Sequence, residues 1–165
     1  MADITTPQRK TIGAKEVGVQ YVERQAVRVV AFNTSGHIAI IHAKRDNYYK
    51  LPGGGIDPGE DHLVAVQREM QEETGALIRV RERGCVATTE EFRNNLHQLS
   101  FCYCADLVDD AGRPNLTEEE VDDQLQHLWL PVDEAKRQMA AAVPTSALGQ
   151  FIKERDLYLL REATK

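Results

Sequence analysis

The stretch from Gly53 to Ala76 constrains this chain more than any other. Three consecutive glycines, Gly53, Gly54 and Gly55, precede a Pro58-Gly59 turn, and a helix is expected over about 60–74. Leu63, Val66 and Met70 recur at helical spacing and predict its buried stripe. Gly75 stands where a left-handed C-cap is wanted. At about 100° per residue, Glu69, Glu72 and Glu73 fall within an arc of about 100°. Like charges so placed cost a helix a few tenths of a kcal/mol, and the macrodipole disfavours anions at this end. A bound divalent cation removes the conflict, because carboxylates, carbonyls and water are ligands for Mg²⁺ or Mn²⁺. The glycines let backbone approach a ligand closely, and a carbonyl among them could complete a metal shell. Arg68 carries a fork suited to holding a carboxylate.

A solvated acidic face is the ordinary explanation of such a charge run. Here seven residue types match at fixed offsets, roughly 10⁻⁹ to 10⁻⁸ per placement by chance. Gly54, Glu60, Arg68, Glu69, Met70, Glu72, Glu73 and Gly75 resemble the Nudix hydrolase signature G-x5-E-x7-R-E-U-x-E-E-x-G-U, where U is bulky and apolar. Ala76 departs from it, being small at a position where Ile, Leu or Val is common. The flanking pattern extends the likeness over about residues 24–135.

The resemblance, to MutT-like members in particular, implies an α/β fold. It is an αβα sandwich with a mixed β-sheet and a loop-helix-loop catalytic motif. It implies Mg²⁺-dependent hydrolysis of a nucleoside diphosphate linked to another group, with water attacking phosphorus. By position, Glu72, Glu73 and the Gly53 carbonyl would be metal ligands. Glu69 would be a ligand or the base that activates water, and Arg68 and Glu60 would orient the site. Mutual repulsion is expected to raise the pKa values of the metal-free glutamates, so activity should favour neutral to alkaline pH. Such enzymes often recruit a further acid from outside the motif. Glu120, within Glu118-Glu119-Glu120, is favoured over Glu90 and Glu91, although Thr117 could equally open a short solvated helix there.

Substrate choice proceeds by elimination. The proline expected about 15 residues beyond the motif in ADP-ribose pyrophosphatases is absent, with none between Pro58 and Pro114. Phe92 stands where dinucleoside polyphosphate hydrolases often have tyrosine. A small nucleoside triphosphate, including an oxidised purine such as 8-oxo-dGTP, is what remains. ADP-ribose, nucleotide sugars and dinucleoside polyphosphates stay as alternatives, as does a non-catalytic nucleotide sensor. Tyr48, Tyr49 and Phe92 are candidates for stacking on a base, with core packing the competing role. Arg28, Lys44, Arg45 and Lys50 are candidates for terminal phosphates, with a solvated basic surface the competing role.

Elsewhere the chain reads as alternating short strands and helices. Residues 1–15 are expected to be a flexible lead, and residues 16–165 one domain. Strands are expected at 16–23 (an edge), 26–32 and 37–42 (a hairpin), 48–51, 76–86, 96–108 and 125–130. Helices are expected at 133–142 and 145–161. The composition, 42% hydrophobic and 28% charged, is that of a globular protein. No apolar run is long enough to span a bilayer. The three cysteines, Cys85, Cys102 and Cys104, suggest buried free thiols in a reducing, cytoplasmic setting. A homodimer stays open.

The net charge of −6 argues against binding long nucleic acid. Its distribution is uneven: residues 57–73 carry −5, residues 106–123 carry −7, and the remainder carries +6. A bound metal would reverse the meaning of the first acidic segment toward a single anionic nucleotide.

Overall fold

Alternation along one strand explains how the layers form. In the computed structural model, which describes residues 7–165, β2 spans Val22–Phe32. Its Val27, Val29 and Ala31 face one side, and Arg24, Ala26, Arg28 and Val30 the other. The first set packs under helix α1 (His62–Thr74), against Ala65, Val66 and Met70. On the other side Val30 joins Ala87, Cys102 and Cys104 against α3 (Val132–Ala141) and α4 (Ala147–Ala163), through Ala135, Met139, Leu157 and Leu160. The result is the expected αβα sandwich, with an apolar core on each face of the sheet.

The remaining strands are β1 (Gln8–Ile12), β3 (His37–Ala43), β4 (Tyr48–Lys50), β5 (Gly53–Gly55), β6 (Leu77–Arg93), β7 (Leu96–Asp109) and β8 (Leu125–Pro131). A short helix, α2 (Glu118–Asp122), precedes β8. The sheet order is β1-β6-β7-β2-β3-β4, with β5 on β2 and β8 on β3. Pairings β1/β6 and β2/β7 are parallel and the others antiparallel, so the sheet is mixed. Among the described residues no helix is long and apolar enough to cross a membrane.

Four local expectations need correction. Residues 8–12, assigned to a flexible lead, form a strand whose Gln8–Ile12 pair with Ala87–Glu91; residues 1–6 lie outside the described residues. The edge strand expected at 16–23 does not form. Gly13 and Gly18 adopt positive φ (76° and 85°), which breaks an extended run, and β2 begins only at Val22. The expected hairpin turns at Asn33, whose side chain accepts from the Ser35 and His37 N–H groups, but β2 and β3 share only the Phe32–Ile38 register pair. The flanks of β2 are taken by β5 and β7 instead. Finally, the strand expected to end at residue 86 continues to Arg93 past an irregularity around Gly84.

Helix α1 also differs in rotation. It starts at His62 because the Asp61 carboxylate caps it, accepting from Leu63 N at 2.8 Å. Leu63 is 45% exposed, and the buried face comprises Ala65, Val66, Glu69, Met70 and Glu73. The helix turns carboxylates toward the sheet, where polar partners await them. At its end Gly75 takes the left-handed cap (φ 79°), and Asn115 N–H bonds the Glu72 carbonyl at 2.7 Å.

Candidate active site

Strand β5 is the spine of a cleft of about 650 Å³. Its residues alternate, so Gly53 and Gly55 face one way and Gly54 the other. Each leaves room for a charged side chain. A Cβ on Gly54 would stand 2.6 Å from Glu69 Oε1. A Cβ on Gly55 would stand 2.8 Å from Arg24 Nη2. At Gly53 it would stand 2.9 Å from Arg28 Cδ and 2.0 Å from the Val27 carbonyl oxygen. Bare backbone thus runs between a carboxylate side and a guanidinium side. Gly54→Ala is therefore expected to displace Glu69 and lower turnover roughly tenfold or more. Gly59→Ala is the control. Nothing lies within 4 Å of its added Cβ, so it costs only about 1–2 kcal/mol of left-handed strain at φ 75° and spares turnover. Steady-state kinetics and thermal melts of both variants check this, and equal activity in the two would contradict it.

On the carboxylate side Arg68 is the hub. Its Nε donates to Glu60 Oε2 at 2.7 Å and its Nη2 to Glu60 Oε1 at 2.8 Å. Nη2 also reaches the Gly55 carbonyl at 3.1 Å. Nη1 is shared between Glu69 Oε1 (2.9 Å) and Glu72 Oε2 (3.3 Å). The bidentate bond from Arg68 holds the Glu60 carboxyl down near a pKa of about 2. Glu72 is shifted upward by burial and by Glu69.

Glu73 is only 2% exposed. Its Oε1 accepts from Gly53 N–H at 3.4 Å and lies 3.7 Å from Lys50 Nζ, and its Oε2 has no partner. Burial pushes this carboxyl up to about 8, with Lys50 and Arg28 opposing the shift and Glu69 adding to it. Repulsion among the glutamates was the expected cause; burial is the larger one for both Glu72 and Glu73.

These oxygens suit a hard divalent cation. The orphaned Glu73 Oε2 and the two carboxylates gathered on one guanidinium nitrogen fit such an ion. Among the described residues, no three acidic, His or Cys side chains form a ready-made cage. Arg68 holds Glu69 and Glu72 through Nη1 alone, and keeps Glu60 through its other nitrogens. It can therefore yield those two carboxylates to a cation without losing its own anchor.

The other candidates divide. Glu120 lies at the cleft, as do Glu119 and Asp123. Its Oε1 is engaged in a capping box, accepting from Thr117 N–H at 2.9 Å, so the short-helix role holds as well. Glu91 is buried behind the opposite wall, and Glu90 is bonded to His97. Arg28, Lys50 and Tyr48 line the cleft, Tyr48 also packing against Ile152.

Two candidates do not belong. Lys44 is exposed and outside the cleft. Phe92 packs on Tyr21 and His97 in a separate depression, because strand parity turns it away from its neighbours Glu91 and Arg93. Of the other residues weighed, Tyr49 stacks on His42. Arg24, Arg93, Gln98 and Arg155 line the cleft without having been singled out by sequence.

Sequence and fold both match known proteins. Residues 22–148 match the NUDIX domain family, and the chain belongs to that family. It is 32% identical over 125 residues to an 8-oxo-(d)GTP phosphatase of Mycolicibacterium smegmatis, covering 73% of this chain and 36% of the relative. It is 40% identical over 55 residues to an RNA pyrophosphohydrolase of Pelagibacter ubique, covering 31% and 34%. The matches thus span about a third of those relatives' lengths. The fold resembles a MutT protein from Methanosarcina mazei Go1 with a TM-score of 0.59 at 16% identity, covering 90% of this chain and 100% of that one.

Proposed function

We propose that this domain hydrolyses a phosphoric anhydride bond in a small nucleoside triphosphate, an oxidised purine such as 8-oxo-dGTP among them, by water attack on phosphorus with Mg²⁺, or Mn²⁺ in its place. The observation that carries this reading is the Arg68 hub, which gathers Glu60, Glu69 and Glu72 beside the buried Glu73 and faces them across a cleft with arginines. The relatives' names, 8-oxo-(d)GTP phosphatase and RNA pyrophosphohydrolase, support a substrate class with a phosphoric anhydride on a nucleotide.

Glu69, Glu72, Glu73 and the Gly53 carbonyl would hold the cation, with Glu120 close enough to the cleft to assist. The cation would screen the phosphates and stabilise charge on the departing oxygen. Glu69, set against Gly54, would hold or accept a proton of the attacking water. Arg68 and Glu60 fix the position of Glu69. A protein of this kind would work in the cytoplasm on free nucleotides.

A hydrolysis panel tests the reading. It comprises nucleoside triphosphates, 8-oxo-dGTP, ADP-ribose, nucleotide sugars, dinucleoside polyphosphates and capped or 5′-triphosphate RNA, each with Mg²⁺, Mn²⁺ or EDTA. Turnover of a triphosphate, lost in EDTA, is expected. Binding without turnover across the whole panel would replace it with the sensor reading, and preference for ADP-ribose would replace the substrate class.

A further inference from the structure

The wall opposite the glutamates is built from residues far apart in sequence. Arg24 and Arg28 come from β2, Arg93 from β6, Gln98 from β7 and Arg155 from α4. The sheet register sets Arg24 beside Gln98 and Glu91 beside Gln98. Arg24 Nη1 donates to Gln98 Oε1 at 2.6 Å. Gln98 Nε2 donates to Glu91 Oε1 at 3.0 Å, and Arg155 Nη1 donates to the same oxygen at 2.9 Å. Arg155 Nε closes the chain on Asp156 at 2.7 Å.

This network leaves donors over. Arg28 is 5% exposed, and its Nε and Nη1 have no hydrogen-bond partner. Nη2 of Arg155, which is 3% exposed, has none, nor has Nε of Arg93, whose nearest carboxylate oxygen is Glu91 Oε2 at 3.8 Å. Glu91 and Asp156 pair with Arg93 and Arg155, and Glu73 is close enough to act on Arg28, so four arginines meet three carboxylates, with Glu91 Oε2 also left without a hydrogen bond. A buried guanidinium without a partner is costly, and burial and the neighbouring Arg155 both depress the Arg28 pKa. An excess of buried, forked donors facing a cleft is what a multidentate oxyanion satisfies.

We propose that Arg24, Arg28, Arg93 and Arg155 form a metal-independent subsite for a phosphate group of the substrate lying outside the bond that is broken. The inference deepens the triphosphate reading and rests on it only for the identity of the substrate. Gln98 and Glu91 are positioning residues, because they hold Arg24 and Arg155 in the wall. A nucleotide sugar, ending in a neutral hexose, would leave these donors unmatched. A triphosphate would fill them while its scissile bond lies on the Glu69 side of β5. Arginine selects here over lysine because the fork can engage two phosphate oxygens at once.

The test separates this subsite from catalysis. Inorganic tripolyphosphate is titrated calorimetrically into the protein in EDTA. Wild type is expected to bind, Arg24→Gln and Arg93→Gln each to weaken binding roughly tenfold or more, and Arg24→Lys to recover part of the loss. Circular dichroism melts establish that these variants fold; Arg24 is exposed and Arg93 half-buried, so both should. Glu72→Gln is expected to retain tripolyphosphate binding in EDTA. In kinetics Arg24→Gln should raise KM for the triphosphate with little change in kcat. No binding by wild type in EDTA, or equal binding by the arginine variants, would overturn the subsite. Loss of turnover with binding intact would instead count against the triphosphatase reading alone.

Discussion

Glu73→Gln is expected to abolish metal-dependent hydrolysis, by about a thousandfold or more, the scale of losing a group that stabilises transition-state charge. The protein should meanwhile melt no lower than wild type. Glu73 is buried, its Oε2 is unpartnered, and burial has already pushed its carboxyl up to about 8. A carboxylate held there is kept at the expense of stability. Glutamine has the same shape and can still accept from Gly53 N–H, so the amide relieves the desolvation cost while removing the charge. Turnover on the nucleotide panel and a thermal melt measure the two halves. Near-normal turnover by a folded Glu73→Gln protein would remove Glu73 from the site.

Asp156→Ala is expected to destabilise the domain by about 3–5 kcal/mol, the usual penalty for removing one partner of a buried pair. Asp156 is fully buried. Its Oδ1 accepts from Arg155 and its Oδ2 from Leu51 N–H at 2.9 Å, so alanine strips Arg155 of one of its two carboxylates and orphans a backbone donor. Urea unfolding measures the loss, and a loss below about 1 kcal/mol would contradict it. Burial raises the Asp156 pKa, but Arg155, Arg28 and the Leu51 N–H outweigh it and hold it below the ordinary 3.8. A lowered folded pKa contributes stability that is present above 3.8 and lost as the pH falls through the lower folded value. The gap between wild type and Asp156→Ala should therefore narrow in acid below that window.

The carboxylate half of the site was legible because it is local. Gly54, Glu60, Arg68, Glu69, Glu72 and Glu73 lie within 20 residues, and helical spacing alone places the last four near one another. The sandwich followed from strand patterns on both sides of α1. The guanidinium half was not legible, because Arg24, Arg93 and Arg155 meet only through β2/β7 and β6/β7 register and the docking of α4. The same register decides Phe92: one residue earlier or later on β6 a side chain meets the network, and at 92 it does not. The rotation of α1 was misread for a related reason. Hydrophobicity puts Leu63 inside, but carboxylates with partners waiting at β5 and Arg68 compete for that face.

The bond from Asp156 to Leu51 also sets a timetable for synthesis. Glu73 leaves the ribosome about eighty residues before Asp156, roughly 4 to 16 s at ordinary elongation rates. Through that interval the glutamates can already lie on their helix while Arg155 and Asp156 are still missing. The nascent domain therefore passes through a stage in which the glutamates face a wall holding Arg24, Arg28 and Arg93 but not Arg155, with Glu91 and the Leu51 N–H still lacking their α4 partners. That wall should be completed late, when α4 docks, and abruptly.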